Sequence, residues 1–186
     1  ARGRSVIALD ADPQESLAHW AALGEGLLSR IVAAVDAENE AQFQESVSQA
    51  ERTADHVLID CPPGFRDSAL YAAHLADLAL LPSGPSPLDV LAVGEALNLV
   101  REARAQRGGR KPAIRFIPCK IQSATTLGRE LAESLENLGE KALPGIGLRA
   151  VVAQSALSGL TVREFAPSSQ AANEFHALAL EVEKLL

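Results

Sequence analysis

Apolar residues gather in five short runs along the chain, at 5–10, 31–35, His56–Asp60, 78–81 and 114–117, and each run stops at polar or turn-forming residues. Runs of this length, closed by such residues, predict buried strands. The intervening stretches change period. "AENEAQFQESVSQAERTA" at 37–54, "TTLGRELAESLENLG" at 125–139 and "SSQAANEFHALALEVEKLL" at 168–186 read as amphipathic helices. In "SPLDVLAVGEALNLVREARAQ" at 86–106, Leu88, Leu91, Val93, Ala96, Leu97 and Val100 recur at helical spacing. Ser86 as N-cap, Pro87 at the first helical position and Asp89 three after the cap mark where that helix starts. "RGGRKP", from Arg107 to Pro112, follows a helix and predicts a turn. Strands alternating with helices over short connections predict an α/β fold, a mostly parallel sheet with helices on both faces, forming a single domain over 1–186.

Composition narrows what such a domain does. With 186 residues, 47% of them apolar, the chain buries a real core. A formal net charge of −7 excludes a surface that is basic throughout, so any nucleic-acid contact is local. Cys61 and Cys119 stand too far apart in sequence to suggest a disulfide framework, and the four histidines are scattered rather than set at metal-ligand spacing. No apolar stretch approaches the roughly 18 residues of a membrane span. The expectation is a cytoplasmic protein with no membrane partner.

Two of the five runs end in carboxylate. "VIALDADPQES" delivers Asp10 at the end of the first strand and Asp12 just past it, and "HVLID" delivers Asp60 at the end of the third. In open α/β sheets ligands bind at the carboxyl ends of strands. An apolar strand ending in Asp is the Walker B pattern, whose carboxylate helps hold Mg²⁺ beside nucleotide phosphates. Like charges at one sheet edge repel unless a cation or ligand compensates them, and a divalent metal would. Asp12 has two readings, which are compatible: a loop carboxylate that orients an attacking water, or the N-cap of a helix "PQESLAHWAAL" with Pro13 at its first position.

Four blocks, "VIALDADPQES", "ADHVLIDCPPGFRDSALYAAHLADLALLPSGPSPLDV", "FIPCKIQSATTLGRELAESLENLG" and "GLTVREFAPSSQAANEF", resemble in order and spacing the ParA family of partition ATPases, which belong with the MinD-like deviant-Walker P-loop ATPases. The resemblance covers nearly the whole chain. It implies that Asp10 faces magnesium through water, that Asp12 orients the hydrolytic water, and that Asp60 is the Walker B residue. Pro62, Pro63 and Gly64 would form the following switch near the terminal phosphate. Pro118 and Cys119 stand near the base-recognition site, where the family often has a polar residue or arginine, so base selectivity stays open. ATP and Mg²⁺ are the implied cofactors. The implied partners are a second copy in an ATP-bound homodimer, nonspecific DNA, and a ParB-like or cargo adaptor protein, with an association with the nucleoid.

One element of the family is missing from the sequence, the glycine-rich loop KGGxGK[ST] whose backbone N–H groups cradle phosphates. "ARGRSV" matches the end of the helix that follows this loop in the family. The expectation is a fragment lacking the first strand, P-loop and first helix, with a degenerate relative as the second reading. Either way the polypeptide as written should bind ATP poorly or not at all. Arg101, Arg104 and Arg107 fall three apart near a helix end, with Arg110 and Lys111 beyond. This basic stripe either contacts DNA phosphates or complements the helix dipole. The final segment carries Glu174, Glu181 and Glu183 against Lys184, unlike a basic membrane-targeting tail, and predicts a packed helix. Two other classes stay in view. A receiver-like phospho-acceptor domain would use Asp10, Asp12, Asp60 and Lys120, but the chain is longer than a receiver, Ala11 splits the acidic pair, and Ile121 follows the lysine. A catalytically silent scaffold of the ParA type would keep the fold without hydrolysis.

Overall fold

The computed structural model describes residues 3–62 and 66–186. Among them the chain runs β1 (Val6–Asp10), α1 (Ser16–Ala22), α2 (Leu28–Ile31), β2 (Val32–Ala34), α3 (Glu40–Glu51), β3 (His56–Asp60), α4 (Arg66–Leu75), β4 (Leu78–Ser83), α5 (Pro87–Gln106), β5 (Ala113–Pro118), α6 (Thr126–Glu136), β6 (Lys141–Ala142), α7 (Ala150–Leu157), α8 (Val162–Phe165) and α9 (Gln170–Glu183). The five expected strands are present, and every strand pair among the described residues is parallel. The strands form two sets of three rather than one sheet. β3 and β4 are consecutive in the chain, yet each is the outer strand of a different set.

The first compact unit takes in the described residues of Ala1–Leu75 with Ala153–Phe165, and its strand order is β2-β1-β3. Register is set at the start of the strands. Ser5 donates from its backbone N–H and its hydroxyl to Asp55 Oδ2, at 2.8 and 2.9 Å, and the Asp55 N–H donates back to Ser5 Oγ at 2.9 Å. That lock opposes Asp10 to Asp60 at the far end of the same pair. α3 covers the sheet. Asn39 caps it by accepting from the Gln42 N–H, and Phe43, Val47 and Ala50 pack with Leu9 and Ala11 in one buried cluster. At the opposite border of the unit, Gly159 crosses Gly24 so closely that a Cβ there would sit 2.2 Å from the Gly24 nitrogen, and its φ of +64° is one that side chains rarely adopt. Glu164 completes this corner. It accepts from Thr161 N–H and Oγ1 as a capping box and from the Leu27 N–H at 2.7 Å. On the outer strand β3, Leu58 is 51% exposed in the middle of an apolar run.

The second unit comprises Ala76–Val152 and Ala166–Leu186, with strand order β4-β5-β6. α5 lies against β4, and α6 lies against β5 and β6. Ile114 and Phe116 of β5, Leu97 and Val100 of α5, and Leu131 and Leu135 of α6 are buried. The start of α5 follows the sequence signal, since Ser86 Oγ accepts from the Leu88 N–H with Pro87 inside the first turn. Its apolar residues do not all face inward, however. Val93, Leu97, Val100 and Ala103 are buried, while Leu88 and Leu91 are 75% and 69% exposed. α9 is tied down at its start, where Ala171 and Ala172 are buried and Glu174 grips Arg149 with Nη2···Oε1 at 2.6 Å and the Gly147 N–H at 3.0 Å. Past Ala172 the helix is half-buried or exposed, a looser arrangement than a fully packed helix.

Candidate functional site

The carboxyl end of the first sheet collects the acidic residues. Asp10 and Asp60 are register partners on β1 and β3, and the Ala11 N–H continues the ladder by donating to the Asp60 carbonyl at 2.9 Å. The two side chains meet different surroundings. Asp10 has no solvent exposure, and its carboxylate is satisfied by backbone donors, Oδ1 by the Asp12 N–H at 3.2 Å and Oδ2 by the Ala18 N–H at 2.9 Å. A buried carboxylate without such donors would be costly. Asp10 therefore pins the loop and the first turn of α1 to the strand end. Asp60 is exposed, and its pKa is raised, first by the desolvation it does experience and then by the charges of Asp10 and Asp12.

Asp12 does not cap a helix beginning at Pro13. α1 begins at Ser16, because Glu15 turns left-handed at φ 51° and ψ 38° and interrupts the path from Pro13. Asp12 instead holds the connecting turn. Its Oδ1 accepts from the Gln14 N–H at 2.9 Å and its carbonyl from the Glu15 N–H at 2.8 Å. A bulky side chain in the left-handed region carries strain that tends to concentrate at functional loops. Glu15 and Asp12, with Asp36, Glu38 and Ser68, border an open cleft of about 260 Å³ at the ends of β1 and β2. No sequence signal marks the left-handed turn at Glu15.

These residues suit a magnesium ion that keeps much of its water and borrows phosphate oxygens, the usual way proteins hold it. They do not make a closed protein cage, and among the described residues no group of three or more His, Cys, Asp or Glu side chains is placed to hold a metal. A triphosphate is a different matter. The paired glycines Gly108 and Gly109 follow the end of α5 as the expected turn, and the Gly109 N–H is spent on the Arg104 carbonyl at 2.8 Å. The described residues offer no glycine-rich amide cradle for a triphosphate.

The remaining candidates fall into three groups. Pro62 is buried, and Pro63 and Gly64 lie outside the described residues. Cys61, beside Asp60, has its thiol pushed up to about 11 by burial and then by the Asp60 charge, so it stays protonated at neutral pH. Pro118 and Cys119 belong to the second unit, at the carboxyl end of β5. The buried Pro118 accepts from the Ile146 N–H at 2.8 Å, and the Cys119 N–H donates to the Ser83 carbonyl at 2.7 Å. Burial raises the Cys119 thiol as well. Lys120 follows with a second left-handed backbone at φ 54°.

The basic stripe is largely spoken for. Arg101 donates to the Leu138 carbonyl at 2.8 Å and lies 3.7 Å from Glu140, and Arg104 pairs with the same carboxylate. Arg107 donates to the Ala76 carbonyl, and Lys111 pairs with Asp77. These contacts favour the structural reading of the pattern, with cations closing a helix end. Arg110 is exposed. Among the described residues no helix is long and apolar enough to cross a membrane.

No family model matches the chain. It is 30% identical over 185 residues to the maintenance of carboxysome distribution protein A of Halothiobacillus neapolitanus, covering 97% of this chain and 83% of that protein. Two solved structures share the fold. The septum site-determining protein MinD of Pyrococcus horikoshii, complexed with Mg-ADP, matches with a TM-score of 0.70 at 23% identity, over 98% of this chain and 85% of that one. A chain of the MinC:MinD cell division protein complex of Aquifex aeolicus matches with a TM-score of 0.76 at 14% identity, over 98% and 84%.

Proposed function

Because the chain belongs to the ParA/MinD family of ATPases, we propose that it serves an ATP-dependent switch, in which nucleotide-driven dimerisation and association with nonspecific DNA position a cargo in the cytoplasm. The carboxysome named for its relative is the first cargo to examine. The reading is carried by one observation, the opposition of Asp10 and Asp60 at the ends of neighbouring parallel strands with Asp12 one step beyond. Asp60 supplies the exposed carboxylate for a hydrated magnesium ion, Asp10 holds the loop that presents Asp12, and Asp12 orients water. ATP favours the dimer and hydrolysis returns the monomer, a shift of populations rather than a new fold. A ParB-like or cargo adaptor protein couples this cycle to the cargo. The stripe of Arg101, Arg104, Arg107, Arg110 and Lys111 is the surface proposed to meet DNA phosphates.

The second reading is a catalytically silent scaffold of the same fold, which holds if the full-length gene lacks KGGxGK[ST]. The coding sequence upstream of Ala1 separates the two. An in-frame strand followed by that loop supports the ATPase, and a start codon at this point removes it. In the protein that carries the loop, Asp12→Ala is expected to lower hydrolysis while nucleotide-dependent dimerisation, read by light scattering, survives. Equal hydrolysis in variant and parent removes the role given to Asp12. Family membership takes the place of the receiver-like alternative.

A further inference from the structure

The second sheet has one sealed face and one that is half open. Along β5, Ile114 and Phe116 are fully buried, while Ala113 and Arg115, which alternate with them, are only half-buried, and the open face closes again at the buried Ile117. Arg115 thus sets a guanidinium in the middle of the central strand, with Leu80 of β4 as register partner on one side and Lys141 of β6 on the other. Side chains of register partners leave the same face of a parallel sheet. Two cations therefore rise side by side from strands about 4.8 Å apart.

Like charges directly opposed across strands are destabilising. A lysine on an outer strand has an ordinary use, since it discourages pairing with another chain, and β6 is an outer strand. That use accounts for Lys141. It does not account for Arg115, which has a strand on each side and no edge to protect.

The acids nearest in sequence to Lys141 are committed elsewhere. Glu140 accepts from Arg104 and lies 3.7 Å from Arg101, and Glu136 takes the Ala142 N–H at 3.0 Å. Among the described residues no carboxylate pairs with Arg115 or Lys141. Arg115 instead turns Nη1 back onto the carbonyl of its own neighbour Ile114, at 2.7 Å in a part-buried setting. A guanidinium carries five N–H donors, so most of this fork is left to an acceptor from outside the chain. Arg149 shows the contrast, with two of its nitrogens spent on Glu174.

We propose that Arg115 and Lys141 form a phosphate-binding site on the open face of the second sheet. The guanidinium takes two oxygens of the phosphate group in parallel, and the ammonium meets a third as a point charge. The negative charge of the group offsets the repulsion between the two cations. The site belongs to the second unit and uses none of the carboxylates of the first. It does not rest on the ATPase reading, so either can fail alone.

The test is calorimetric titration of the protein with inorganic phosphate, without nucleotide and with chloride holding the ionic strength constant. The parent should bind. Arg115→Gln and Lys141→Gln should each weaken binding about tenfold or more, the loss of a hydrogen bond between ions. Lys184→Gln, which removes a cation already paired with Glu181, should change nothing. Lys141→Glu should set an anion beside Arg115 within the chain, abolishing phosphate binding and raising the melting temperature in phosphate-free buffer, a gain that misfolding does not produce. A fluorescein-labelled DNA duplex separates the two sources of the group. Duplex binding that Arg115→Gln loses assigns the phosphate to a nucleic-acid backbone, and a duplex that is not bound, or is bound equally by the variant, assigns it to free phosphate or a small phosphate ester. No saturable phosphate binding by the parent, parental affinity in Arg115→Gln and Lys141→Gln, or a lower melting temperature for Lys141→Glu would each overturn the proposal.

Discussion

The two units are built alike and finish differently. Each holds three parallel strands under helices, yet the first sheet ends in Asp10 and Asp60, whereas the paired ends of β4 and β5 are Ser83 and Pro118. In the first unit a charged group is left exposed and electrostatically unfavoured. In the second, two part-buried carboxylates are matched, Glu140 to Arg101 and Arg104, and Glu174 to Arg149. Matched charge marks where electrostatics serve the scaffold, and unmatched charge marks where a ligand is expected to supply the balance.

Three measurements sharpen or break that contrast. The largest effect should be common to both units. Phe116→Ala and Phe43→Ala each empty a fully buried site and should each cost about 3–5 kcal/mol in denaturant unfolding. A cost below about 1 kcal/mol at either position would mean that its unit lacks the close packing assigned to it.

Next comes Glu174→Gln in the second unit, expected to cost up to about 1 kcal/mol at neutral pH, because solvent screens the part-exposed pair with Arg149. The Arg149 hydrogen bonds hold the Glu174 carboxyl below the usual range. Its stabilisation is therefore present above the unfolded glutamate pKa and is lost as pH falls through the lower folded value. The difference between parent and variant should shrink on acidification. A difference independent of pH would assign the residue a packing role instead.

The smallest effect should have the opposite sign. Asp60 is raised by desolvation and by its acidic neighbours, so ionising it opposes folding as pH rises through its folded value. Asp60→Asn should raise the melting temperature modestly at pH 7 and not at pH 4. Added Mg²⁺ should stabilise the parent more than the variant. A lower melting temperature for Asp60→Asn at pH 7 would place Asp60 among the matched charges and erase the contrast.

How far these features were legible in the sequence depends on how local their causes are. His56–Asp60 matches its expected bounds because an apolar run and a terminal carboxylate are local signals. The expected 31–35 strand shortens to Val32–Ala34 because α2 continues through Ile31. β6 is two residues long, too short for any pattern to register. Helical spacing alone grouped Leu88 and Leu91 with Val93 and Leu97, although those positions point to different sides of α5. The roles of Arg101, Arg104 and Arg107 were ambiguous because their partners, at Leu138, Glu140 and Ala76, lie 31 to 37 residues away. The pinning of α1 by Asp10 was out of reach for the same reason of geometry, since it depends on a left-handed turn at Glu15.

β3 carries a last consequence. Its middle residue Leu58 is half in water, on a strand that borders its sheet and carries neither proline nor lysine to discourage pairing. Such a border leaves its outward backbone N–H and C=O groups ready to pair with a further strand.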